Sequence, residues 1–188
     1  MWYLPYLVQP WLPVGESGQW RVQRLYVPGD QSVRMERREI VLGFPTPGDY
    51  TTLYFGSECW MSDQPRELLD SEPFCEQAAG RVLISGLGLG AVPAWLARQE
   101  RVERIDIVER EADVIRLVWP HLSAQSPKLH VHHADALQWQ PEGRWDIAWH
   151  DIWPNYPTVE QCREIEAKYA PFVSRQMCWV PWQEAPAA

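Results

Sequence analysis

Residues 81–100, RVLISGLGLGAVPAWLARQE, constrain the fold more than any other stretch. Val82, Leu83 and Ile84 are an apolar run suited to a buried strand, and Gly86, Gly88 and Gly90 then turn the chain. A helix begins at Ala91, with Pro93 in its first turn, where a lost N–H costs little. A residue without Cβ takes positive φ readily and lets a ligand or another backbone come close, and the helix start adds unpaired N–H groups. Such a unit is either a tight packing corner or the binding loop of a nucleotide-type cofactor, and its context decides.

That context is an alternation. Beyond Gly80 the pattern reads strand 81–85, helix 91–99, strand 103–109, helix 111–119 ended by Pro120, strand 128–133, strand 145–150, a polar helix over 158–169 and a last extended run, RQMCWVPW. Alternation of this kind predicts a mostly parallel sheet of about five strands with crossover helices, an α/β Rossmann-like domain over 63–188. Residues 1–62 read as a small N-terminal β lobe, with candidate strands QWRVQRLYV, SVRMERREIVLG and TTLYFG separated by Pro-Gly-Asp turns. Between the two, Ser62 or Asp63 is expected to cap a helix containing Pro65, Leu68 and Leu69, with a further helical turn or two over 74–79 before Gly80.

Charge narrows the partners. A net charge of -8 opposes non-specific binding to nucleic acid or to an anionic membrane and suits a small substrate. The start, Met1-Trp2-Tyr3-Leu4-Pro5, makes a poor signal peptide and no apolar run approaches a membrane span, so a cytoplasmic protein is expected. Cys59, Cys75, Cys162 and Cys178 form no CxxC pair and are expected to be reduced packing residues. His130, His132 and His133 invite a metal reading, but the neighbourhood offers only Asp135 to complete a ligand set, so ordinary strand histidines are expected. Lobe edge strands and the tryptophans make a homodimer a reasonable expectation.

In an open parallel sheet, ligands bind beyond the carboxyl ends of the strands. The first end carries the glycines. The second carries Glu109, 23 residues after Gly86, where a carboxylate can accept from both ribose hydroxyls; its alternative role is an acid at a helix start. The third carries Asp135, able to accept from an adenine amine or to cap the next turn. The fourth reads His150-Asp151-Ile152-Trp153-Pro154: Asp151 could orient an amine nucleophile and Trp153 could shield it from water, while His150 points to the other face.

With VLISGLGLG, IDIVEREADVI, HADAL and WDIAWHD in place, residues 80–155 resemble a class I S-adenosylmethionine-dependent methyltransferase domain, most closely its spermidine-synthase-like branch. The resemblance implies S-adenosylmethionine held by Gly86, Gly88, Gly90, Glu109 and Asp135. It also implies closure from the lobe side by Trp60, Met61, Ser62 and Asp63, and catalytic positions at Asp151 and Trp153. Two departures stand out. Leu89 occupies the place where the branch's aminopropyl transferases carry an acid, and no acid follows Asp151 until Glu160, so a diamine would lose charge complementarity. The domain is also expected to be shortened at its carboxyl end. Methyl transfer to a small acceptor is therefore the leading expectation. Aminopropyl transfer, a non-catalytic protein with the same fold and an NAD-dependent oxidoreductase remain as alternatives, the last because Gly86-x-Gly88-x-x-Ala91 with Glu109 also fits a dinucleotide fingerprint.

Overall fold

The computed structural model describes residues 7–8, 10–29 and 46–180. The first sheet is an antiparallel meander of β1 (Gly15–Ser17), β2 (Trp20–Val27), β3 (Gly48–Phe55) and β4 (Glu58–Ser62) in sequence order. Strands β2 and β3 match two of the expected runs, whereas the expected strand over 32–43 lies outside the described residues. Strand β4 was not legible as a strand. Its register explains why: Tyr54 pairs with Cys59 but Leu53 pairs with Met61, which leaves Trp60 as the extra residue of a bulge. A bulge breaks the period of two on which strand recognition rests, and re-aims the side chains beside it.

Helix α1 (Pro65–Gln77) is continuous through Pro73, where the sequence suggests two pieces. Leu68, Leu69, Phe74 and Cys75 lie on both sides of the proline and are all buried, so packing carries the helix across the lost hydrogen bond. Its capping position is Gln64, with no side-chain cap, so neither Ser62 nor Asp63 plays that part. The fully buried Asp63 carboxylate instead accepts from the backbone N–H groups of Val8 (2.9 Å) and Thr51 (2.6 Å), tying the segment before β1 to β3.

The second sheet contains β5 (Gly80–Ser85), β6 (Val102–Glu109), β7 (Leu129–His133), β8 (Trp145–His150) and β9 (Val173–Cys178), linked through α2 (Ala91–Ala97), α3 (Ala112–Ser123) and α4 (Val159–Tyr169). All its pairings are parallel and its order is β7-β6-β5-β8-β9, a Rossmann-like sheet. The chain winds one way from β5 to β7 and the other way from β8 to β9. The switch point therefore falls between β5 and β8, where ligands of such sheets bind.

Helix α3 does not stop at Pro120 as the sequence suggests, but runs to Ser123. Fully buried Leu122 extends the stripe of Val114 and Val118, and burying such a side chain contributes about 2 kcal/mol against the cost of the proline.

Alternation along the strands divides the core. Val82, Ile84, Ile105, Ile107, Ile147 and Trp149 face one side with Trp20, Val22 and Leu53 of the first sheet, and Leu83, Val108 and Ala148 face the other with Ile165 and Tyr169 of α4, where the Trp145 ring at the start of β8 also packs although alternation alone would not put it there. On that second face lies Asp106, 1% exposed, which accepts from Arg104 twice (2.7 and 2.8 Å), His132 (2.9 Å) and the Trp145 indole (2.9 Å). Burial alone would raise its pKa, but these donors outweigh it and hold the carboxyl well below the usual range. His132 is thereby a partner of Asp106, with its ring against Trp139. Among the described residues no helix is long and apolar enough to cross a membrane.

Candidate functional site

The carboxyl ends of β5, β6, β7 and β8 open on one cavity of about 150 Å³, roofed by β4 and flanked by α1. Gly86, Leu87 and Gly88 reach it from β5, Glu109 from β6, Asp135 from β7, and Asp151 with Trp153 from β8. Two expected members are elsewhere. Asp63 is engaged with Val8 and Thr51, and Gly90 faces Leu122, Trp11 and Val118, where an added Cβ would lie 3.2 Å from each. From the lobe side Trp60, Met61 and Ser62 line the cavity, together with Trp20 and Leu53.

The glycine loop is held from inside. Gly86 N–H donates to the Val108 carbonyl (2.8 Å), Leu87 N–H to Glu109 Oε2 (2.8 Å), Leu89 N–H to Met61 Sδ (3.3 Å) and Gly90 N–H to the Leu87 carbonyl (2.9 Å). Gly86 has φ +98°, and a Cβ there would stand 2.1 Å from the Asp151 carbonyl oxygen. At Gly88 a Cβ would meet Met61 Sδ at 2.3 Å. The bare backbone thus serves two purposes: Gly86 lets β5 and β8 close together at the switch point, and Gly88 admits the lobe's thioether at the cavity.

Glu109 also accepts from Glu111 N–H (2.8 Å), so each carboxylate oxygen holds one backbone donor and keeps further acceptor capacity. Its burial raises its pKa, and those backbone donors pull it back. Asp135 accepts from Leu137 N–H (2.8 Å), the turn-capping alternative to an adenine contact, while it also lines the cavity.

Asp151 carries a pKa raised to about 7, first by burial and then by the charge of Glu67, with the Trp149 indole as a hydrogen-bond donor acting the other way and Asp70 adding further repulsion. The sequence showed no acid near Asp151 before Glu160. The fold supplies one from 84 positions upstream: Glu67 of α1 lines the same cavity and accepts from both the N–H (2.7 Å) and the hydroxyl of Ser62. Burial raises its pKa as well. Behind it Asp70 pairs with Arg66 (2.9 Å) and accepts from Tyr156 (2.6 Å). Only the amphipathic face of α1 could have hinted at Glu67, and that face does not say which strand end it meets.

His150 lies away from this chemistry. Gln176 donates its amide to the Glu166 carbonyl (2.9 Å), so its oxygen faces His150 Nε2 (2.9 Å) and fixes a proton there; Nδ1 then accepts from Ser85 Oγ (2.9 Å). Burial pushes the imidazole pKa down to about 4.

A pH experiment isolates Asp151. The folded chain keeps a proton on this carboxyl up to about pH 7, while the unfolded chain releases it near 3.8. Its contribution to stability is therefore complete below about pH 4 and is lost as pH rises through 7. Melting curves of wild type and Asp151→Asn should diverge in the variant's favour as pH rises from 4 to about 7, and the difference should level off by pH 8. His150 acts in the opposite sense, its contribution falling away as pH drops from 6.5 towards 4, but it is common to both proteins and cancels. A constant difference across the range would show that Asp151 titrates normally.

No protein-family profile matches the chain, and no curated protein matches it. Solved structures do. An amino pentose methyltransferase from Micromonospora echinaspora with S-adenosylmethionine bound is 18% identical, with 62% of this chain and 48% of that one covered and a TM-score of 0.44. The N-methyltransferase NodS from Bradyrhizobium japonicum, in complex with S-adenosylhomocysteine, is 16% identical over 56% of this chain and 53% of its own, at 0.44. A dimethyladenosine transferase from Plasmodium falciparum is 17% identical over 56% and 38%, also at 0.44. The chain spans about half, or less, of the length of these proteins.

Proposed function

We propose that the protein is an S-adenosylmethionine-dependent methyltransferase acting on a small acceptor, with the cofactor along the ends of β5, β6 and β7 and the acceptor at the end of β8. One observation carries the choice of cofactor. A pyrophosphate on a glycine loop needs several free backbone donors, whereas Gly86, Leu87, Leu89 and Gly90 already donate within the protein. The NAD reading loses its main support there.

An adenosyl ligand asks for acceptors instead, and Glu109 and Asp135 line the cavity with lone pairs to spare, suited to ribose hydroxyls and an adenine amine. When bound, S-adenosylmethionine supplies a methyl group already activated by positive sulfur, so alignment is the main task left to the protein. Asp151, with a pKa near 7, is suited to orient a nucleophile and take its proton, and Trp153 stands beside it as a wall against water. The spermidine-synthase-like branch is the finer assignment we favour, supported by an antiparallel lobe that precedes the glycine strand and reaches the loop through Met61.

Calorimetric titration with S-adenosylmethionine, S-adenosylhomocysteine, decarboxylated S-adenosylmethionine and NAD tests the reading. The first two should bind and NAD should not. Preference for the decarboxylated compound would move the assignment to aminopropyl transfer, and silence across the panel would leave a non-catalytic protein of this fold.

A further inference from the structure

The cavity is walled by rings. Trp20, Trp60, Trp149, Trp153 and Trp179 line it, and Trp60, Trp149 and Trp179 each pack against a further ring. Trp60 meets Trp20 edge to face (5.3 Å between centroids), Trp149 stacks on Phe74 (5.3 Å), and Trp179 lies against Tyr156 (4.5 Å), whose hydroxyl is tied to Asp70. Into the same cavity project Glu67, oriented by Ser62, and Asp151. Among the described residues lining the cavity are five carboxylates and one guanidinium, and that guanidinium, Arg110, pairs with Glu111 at 3.0 Å. The space therefore favours a cation.

The rings say which kind. A primary ammonium is strongly hydrated and asks for three acceptors, and a divalent metal asks for a shell of oxygens. An alkylated ammonium spreads its charge over C–H surface that indole faces attract, and needs one acceptor or two. Resting on the methyl-transfer reading of this site, we propose that the acceptor is an alkylated monoamine, secondary or tertiary, whose ammonium group is held among these indoles by the Glu67 and Asp151 carboxylates. The bound ammonium gives its proton to the Asp151 carboxylate; the freed nitrogen pair forms the new N–C bond as the C–S bond breaks and its electron pair goes to sulfur. The proton on Asp151 passes to solvent, and the product leaves as a cation with one methyl more.

The test reads binding, not turnover. N-methylpyrrolidine hydrochloride, choline chloride, putrescine and 3,3-dimethylbutan-1-ol, the neutral isostere of choline, are titrated into the full chain at matched ionic strength, with and without S-adenosylhomocysteine, by calorimetry and tryptophan fluorescence. N-methylpyrrolidine and choline should bind at least tenfold more tightly than the isostere. Glu67→Gln should weaken them at least fivefold and leave S-adenosylhomocysteine affinity within twofold, with Asp151→Asn as the second variant should the first not fold. Equal binding of the isostere, putrescine binding more tightly than either alkylated amine, or no binding of any ammonium would overturn the proposal. The two readings fail separately: ammonium binding without S-adenosylhomocysteine binding supports the cation subsite and sinks methyl transfer, and the reverse sinks the subsite alone.

Discussion

Gly86→Ala should melt roughly 6–12 °C below the wild type, the shift that a loss of about 3 kcal/mol gives in a domain of this size. The added methyl would stand 2.1 Å from the Asp151 carbonyl oxygen, and both atoms belong to or sit directly on backbone, so no side-chain rotation relieves the clash. Relief requires β5 and β8 to part at their carboxyl ends, where Asp151 N–H donates to the Ser85 carbonyl (2.9 Å). The φ of +98° adds conformational strain for any L residue with a side chain. Gly56→Ala separates the two contributions, because Gly56 has φ +59° and nothing within 4 Å of its Cβ position. That variant should lose only about 1 kcal/mol, the strain alone. If the two alanine variants melt within about 2 °C of each other, the close approach at the switch point is not what Gly86 provides.

Glu109→Ala should cost between about tenfold and about a hundredfold in S-adenosylhomocysteine affinity, the range expected on losing hydrogen bonds to a charged acceptor. The same carboxylate holds Leu87 N–H and Glu111 N–H, so the substitution also loosens the glycine loop. Melting temperature and affinity must therefore be measured on the same preparations. Glu109→Gln keeps one acceptor oxygen and should fall between wild type and alanine in both. A variant that melts early yet binds S-adenosylhomocysteine within twofold of wild type would make Glu109 a loop brace only. That outcome would remove the ribose contact from the proposed site.

Much of the parallel sheet was legible because its signals are local. Val82, Leu83 and Ile84 are contiguous and apolar, and buried strands between helices of 3.6 periodicity leave few other arrangements. The strand ends could be read for the same reason, and Gly86, Glu109, Asp135 and Asp151 do meet at one cavity. What escaped the sequence was not local. Strand β4 hid behind the bulge at Trp60, and α3 passed Pro120 because Leu122 had a core to enter. Asp63 could be read as a cap or a cofactor ligand since nothing nearby in sequence shows that Val8 and Thr51 would claim its oxygens.

The sequence by itself determined the strand and helix alternation, the glycine corner and the four furnished strand ends, because each rests on residues within a few positions of one another. The tertiary structure alone decided what surrounds those ends. It turned Met61 onto the glycine loop, 28 positions away, set Glu67 of α1 beside Asp151 at the end of β8, 84 positions away, and brought indoles from both sheets to the same cavity. Charge repulsion and ring packing act through space, so a carboxylate's neighbours exist only once the chain has folded.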